Sequence, residues 1–118
     1  MWKQTLGIDI VLTNTDWKVY LDKQNTGDYE IARAGWIGDY QDPKTFLDMM
    51  VTGRGNNQTG WSNIDYDEYL SLAANSTSQA ERFSYLYEAE KILMDELPII
   101  PIYTYTRIFM KHPSVKGW

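Results

Sequence analysis

Residues 8–36 read as strand, helix, strand, and no other stretch narrows the possible folds as much. Ile8, Ile10 and Leu12 alternate with Asp9 and Val11, the period of two that turns one face of a strand to a core. Asn14, Thr15 or Asp16 can cap a helix over about residues 17–24, where Trp17, Tyr20 and Leu21 share a face. Asn25, Thr26, Gly27 and Asp28 stop that helix and turn the chain. A second alternation then sets Tyr29, Ile31, Arg33 and Gly35 against Glu30, Ala32, Ala34 and Trp36. Two strands joined through a helix form a βαβ unit, whose right-handed crossover implies a parallel pair. The predicted class is α/β.

The remainder reads as helical with one further strand. Asp42 caps a short helix opened by Pro43, with Phe46, Leu47 and Met50 as its buried side. Residues 52–63 hold three glycines and three asparagines, a loop composition. Asp65 begins a helix with Tyr66, Tyr69, Leu70 and Ala73 on a stripe, and residues 75–77 break it. Ser78 and Glu81 form a capping box for the longest helix, about residues 79–96. Its apolar stripe reads as Phe83, Leu86, Tyr87, Leu93, Met94 and Leu97, with Glu90 an anomaly inside it. Residues 99–105 read as a C-terminal strand whose prolines confine it to a sheet edge or to a strand's first position.

Composition removes several functions. A formal charge of −5 argues against a nucleic-acid partner, which calls for a cationic face. Asp95, Glu96 and Pro98 interrupt the best apolar run well before the roughly 18 residues of a membrane span. With no cysteine there is no disulfide, thiol nucleophile or thiolate metal site. At 118 residues one domain is expected. The opening residues lack the basic, apolar and small-residue regions of a signal peptide, so none is expected in this chain, which reads as starting inside a fold.

Few residues can carry chemistry. The single histidine, His112, precedes Pro113 and reads as a surface residue, and no G-x-S-x-G elbow is present. Asp39 and Asp42 lack calcium-loop spacing, so no metal is expected. The Gly53-Arg54-Gly55 run matches no phosphate-binding motif and reads as loop. Paired carboxylates for glycoside hydrolysis are conceivable, because Asp39 and Asp42 lie among Trp36, Tyr40 and Trp61; the competing reading makes Asp42 a helix cap. Residues 33–40 are the most informative. Arg33, a thin Ala34-Gly35 backbone, Trp36 and Asp39 stand together at the end of a predicted strand, where open α/β layers bind ligands. A zwitterion with an extended main chain fits this set, and so does an Arg33–Asp39 ion pair bracketing a buried Trp36.

The run A-R-A-G-W-x-x-D-Y with a following proline and F-L resembles the peptide-binding proteins of ATP-binding-cassette importers, the extracytoplasmic solute-binding family 5. The similarity extends through the opening L-G-I-D-I, Trp17 to Leu21, Asn56-Asn57, Tyr66-Asp67, Arg82, Tyr87 with Ala89-Glu90, P-I-I-P-I-Y and Val115-Lys116-Gly117. It implies part of one lobe of a two-lobed, type II periplasmic-binding-protein fold. Residues 1–118 would be a single fragment of the C-terminal lobe, and about 106–118 a return segment toward the other lobe.

The resemblance also implies roles. Asp39 would bind the α-ammonium of an oligopeptide, the backbone of Ala34, Gly35 and Ile37 would pair with its main chain, and Trp17, Trp36 and Tyr105 would line side-chain pockets. Arg33 would lie near the ligand carboxylate. Gln24 stands where some members that hold short peptides carry arginine, and Ile37 replaces a cysteine of some relatives. Glu90 would pair with Arg82 or another cation inside the lobe. No catalytic residue, metal or cofactor is implied. The partners would be the peptide and a membrane permease, with a homodimer of the fragment possible, and the parent protein would be periplasmic or a cell-surface lipoprotein. A carbohydrate-binding or glycoside-hydrolase fragment using Asp39 and Asp42 is the alternative.

Overall fold

Local capping chemistry sets the helix boundaries in the computed structural model, which describes residues 1–106 and 108–117. A single-turn helix, α1 (Trp2–Leu6), closes on Gly7, whose φ of 71° is the left-handed conformation that glycine adopts without strain. In α2 (Trp17–Thr26) the Asp16 carboxylate accepts from the amides of Lys18 and Val19, and Gly27 ends the helix in the same left-handed form. A short α3 (Lys44–Leu47) runs on into a 3₁₀ turn, Asp48–Met50. Asn63 caps α4 (Ile64–Asn75) through the Tyr66 amide, and Ser78 caps α5 (Gln79–Glu96) through Glu81.

The core lies where α4 and α5 pack with α3 and its 3₁₀ turn. Leu47, Met50, Tyr66, Leu70, Ala73, Leu86, Ala89 and Leu93 form one buried cluster, with Trp61, Tyr69, Tyr85 and Ile92 packed against it. Ala73 and Ala89 are wholly buried, so small side chains allow the two long helices a close approach. Tyr66 is the pivot: its ring is inaccessible, stands edge-on to Trp61 at 5.0 Å, and its hydroxyl donates to the Leu47 carbonyl at 2.6 Å. Burial pushes the Tyr66 phenol far above its ordinary pKa, so it remains a donor at any physiological pH.

Three sequence expectations about this core change. The buried face of α5 keeps only part of the predicted stripe: Leu86 and Leu93 are buried as expected, Ala89 joins them, and Phe83, Tyr87, Met94 and Leu97 are exposed. Glu90 therefore lies on an exposed side, and its anomaly disappears. Its proposed partner Arg82 instead donates to Asp42 at 2.7 Å, tying the start of α5 to the segment before α3. Phe46 is half exposed, and Thr45 takes its place in the interior.

The segments read as strands at residues 8–12, 29–36 and 99–105 form no paired strand among the described residues. Ile8, Ile10 and Leu12 are exposed, and none of these segments has a neighbour completing a ladder. A strand exists only with a hydrogen-bonded partner, whereas a helix satisfies its backbone internally. The chain also exposes 10071 Å² of surface, against roughly 6,600 Å² for a compact monomer of its 13.8 kDa. Its radius of gyration is 18.3 Å where about 13.5 Å is usual for this length. Apolar side chains of a layered α/β architecture are present, but their covering layers are not supplied by these residues. Arg107 and Trp118, within the predicted return segment 106–118, lie outside the described residues.

Candidate functional site

Asp39 stands on a turn whose shape is set by its neighbours. Its amide donates to the Thr45 hydroxyl at 3.0 Å, and Thr45 is 3% exposed. Gly38 is pressed against the same residue: a Cβ there would come to 3.0 Å from the Thr45 methyl and 3.1 Å from the Phe46 ring. The Asp39 carboxylate itself is solvent-accessible and has no hydrogen-bond or ion-pair partner among the described residues. It lines a small open groove of about 130 Å³ together with Trp36, Tyr40, Thr45, Met49 and Arg54. Asp48 and Asn56 complete the wall. That is the size of a subsite rather than a whole ligand cavity.

Trp36 is partly buried, and its indole nitrogen is enclosed without a hydrogen-bond acceptor among the described residues. Its apolar body closes one side of the groove. Exchanging Thr45 for valine keeps the shape and removes the acceptor, so the Asp39 turn should loosen; amide exchange at Asp39 is expected to speed up in Thr45→Val and to remain slow in Thr45→Ser.

A second group forms around Arg33. The Tyr20 hydroxyl donates to the Arg33 carbonyl at 2.7 Å, and the guanidinium donates to the Tyr105 hydroxyl while lying 5.8 Å from that ring's centre. Tyr105 passes over Gly35, where a Cβ would meet the ring at 3.3 Å. Trp17 stacks on Tyr20 at 5.1 Å, and Tyr103 meets Tyr105 edge-on at 4.9 Å. The sequence-predicted residues thus fall into two clusters: Trp17, Arg33, Gly35 and Tyr105 in one, Trp36 and Asp39 in the other. Ala34 and Ile37 are exposed between them, Ile37 by 83%. The Arg33–Asp39 ion pair considered from sequence does not form; Arg33 is engaged by Tyr105.

The pairing of Asp39 with Asp42 as catalytic carboxylates fares badly. Asp42 accepts from Arg82 and from the Lys44 amide at 2.9 Å, and the Arg82 hydrogen bond holds its pKa below the usual carboxylate range. A general acid requires the opposite shift. The depressed value also makes a stability statement. The pair's contribution is complete above the unfolded carboxylate value near 3.9 and disappears as pH falls through the lower folded value. Asp42→Asn is therefore expected to cost about 1 kcal/mol at neutral pH and to flatten the loss of urea resistance below about pH 4.

Sequence reasoning missed Tyr20, Thr45 and Arg54 as site components. By sequence Tyr20 reads as part of a helix face and Arg54 as part of a glycine loop. The signal for Arg54 was a lone cation in a loop following the helix that supports the turn, a typical location for binding residues. Its loop is held by Asn57, whose side-chain amide donates to the carbonyls of Met50 at 3.0 Å and Trp61 at 2.8 Å.

This architecture is a piece of a known binding-protein fold. The murein tripeptide-binding protein MppA of Escherichia coli superposes with a TM-score of 0.84 at 41% identity, over 88% of this chain and 20% of that one. OppA of Haemophilus influenzae, solved in complex with the peptide RPPGFSPFR, superposes with a TM-score of 0.85 at 34% identity, over 88% of this chain and 21% of the other. The chain is a partial, mostly helical piece of one lobe of the two-lobed type II fold of such structures. In sequence, the oligopeptide-binding protein OppA of Bacillus subtilis is 42% identical over 99% of this chain and 22% of its own length. The family model for bacterial extracellular solute-binding proteins, family 5, middle region, matches residues 1–58. The chain belongs to this family of solute-binding proteins. It spans about a fifth of the length of the curated relatives it matches.

Proposed function

We propose that the chain is a segment of the C-terminal lobe of an oligopeptide-binding protein serving an ATP-binding-cassette importer, and that Asp39 receives the peptide's α-ammonium. The observation that carries this reading is the exposed, unpaired Asp39 carboxylate beside Trp36 in a groove. A carboxylate left open to solvent next to an aromatic wall suits a cation attached to an organic body. The backbone of Ala34, Gly35 and Ile37, free of ladder bonds, would pair with the ligand main chain whatever its sequence. Arg33, Tyr105 and Trp17 would face the ligand further along. Residues 106–118 would lead back to the other lobe, and a membrane permease would receive the cargo from a periplasmic or lipid-anchored parent. The role is binding, without catalysis.

Domain closure supplies the mechanism: a ligand favours the closed form because only there do both lobes contact it. One wall of a cleft binds poorly, so calorimetry on this chain alone should show no tri- or tetrapeptide affinity tighter than about millimolar. Self-association of the isolated chain would draw on the same uncovered surface. Substituting the chain for the aligned segment of the Bacillus subtilis relative restores the opposing wall, and micromolar binding is then expected. Micromolar binding by the isolated chain, or none by the chimera, would contradict the proposal.

A further inference from the structure

The groove that holds Asp39 carries three groups charged at neutral pH, and their pairing is unequal. Asp48 is bound by Lys44 at 2.9 Å, four residues before it on the same turn, while the Arg54 guanidinium stands off the same carboxylate oxygen at 3.8 Å. Lys44 holds Asp48 at hydrogen-bond distance while Arg54 pairs with it only loosely, so the five donors of the guanidinium make no hydrogen bond among the described residues. Its side chain is 60% exposed, and the neighbouring wall is Asn56, a neutral residue. With Lys44 counted behind Asp48, one net positive charge remains once a ligand ammonium neutralises Asp39.

We infer that Arg54 is a specificity-determining residue that favours peptides whose first residue is aspartate or glutamate. The first side chain departs from the carbon that bears the ammonium, so a ligand anchored at Asp39 directs it into the subsite that Arg54 lines. A carboxylate there meets a guanidinium able to bind it in two-point fashion. The inference rests on the reading of Asp39 as the ammonium site. It also bounds the effect, because an exposed pair is screened: the preference should be about two- to fivefold and should shrink as salt is raised.

The test is a calorimetric titration of the chimera that carries this chain in place of the aligned segment of the Bacillus subtilis relative. Glu-Ala-Ala amide is compared with Gln-Ala-Ala amide, each with a free and with an acetylated amino end. Amidation removes the terminal carboxylate as a competitor for Arg54. The Glu peptide is expected to bind more tightly; Arg54→Gln should bring the ratio close to one and Arg54→Lys should retain much of it. Equal binding of the two free peptides, with acetylation still harmful, overturns the role of Arg54 and leaves Asp39 standing. Indifference to acetylation, or no binding by any peptide, overturns the Asp39 reading and this inference with it.

Discussion

Tyr66→Ala is expected to abolish the cooperative unfolding of this chain. The side chain is wholly buried in a cluster of eight core residues, contacts Trp61 edge-on, and ties α4 to the end of α3 through the Leu47 carbonyl. Removing a buried aromatic typically costs about 3–5 kcal/mol, a large share of the 5–15 kcal/mol that holds an ordinary domain together. Here the share is larger, because so much apolar surface remains uncovered. Tyr66→Phe separates the two contributions. It keeps the ring and strands the carbonyl of Leu47, a loss of about 1–2 kcal/mol. Urea titration followed by tryptophan fluorescence reads both: no resolvable transition for the alanine variant and a shifted but sharp one for phenylalanine. A cooperative transition in Tyr66→Ala within 1 kcal/mol of the parent, roughly the size of a surface change, would show that the core lies elsewhere.

The second large effect concerns binding. In the chimera, Asp39→Asn should weaken peptide affinity by at least tenfold, since truncating one partner of a desolvated charge pair typically costs about 2–5 kcal/mol. Folding should be untouched. The Asp39 carboxylate makes no hydrogen bond among the described residues, and the turn is held by the Asp39 amide on Thr45, which asparagine preserves. The combination of lost affinity and an unchanged unfolding curve is what distinguishes a ligand contact from a structural acid.

What was legible in the sequence was what is decided locally. Asp16, Gly27 and Ser78 set helix ends within a few residues of chain. Asp16, one of three caps offered, holds the start of α2, Ser78 holds the start of α5, and α5 covers residues 79–96 as read. By contrast, α2 runs two residues past its expected end, and the Glu81 carboxylate turns to the Ser76 hydroxyl instead of closing the box on Ser78. Which side of α5 faces inward was not local. Ala89 carries little hydrophobic weight, so the pattern followed Phe83, Tyr87 and Met94, yet packing against α4 selected the small residue. The strands at 8–12 and 29–36 required pairing partners that these residues do not provide to one another. At the site, the run from Arg33 to Asp39 was visible as a cluster of types, but its division into two groups depends on Tyr20 and Tyr105 capturing Arg33. Distant contacts such as Arg82 with Asp42, forty residues apart, leave no short-range trace.

The central claim is that the Asp39 carboxylate meets a ligand ammonium, and a two-by-two comparison in the chimera addresses it most directly. Calorimetry would measure a tripeptide with free and with acetylated amino end against the parent sequence and Asp39→Asn. The account predicts that acetylation lowers affinity at least tenfold for the parent and little for the asparagine variant, because each change removes one half of the same pair. Equal binding of free and acetylated peptide by the parent sequence would contradict it.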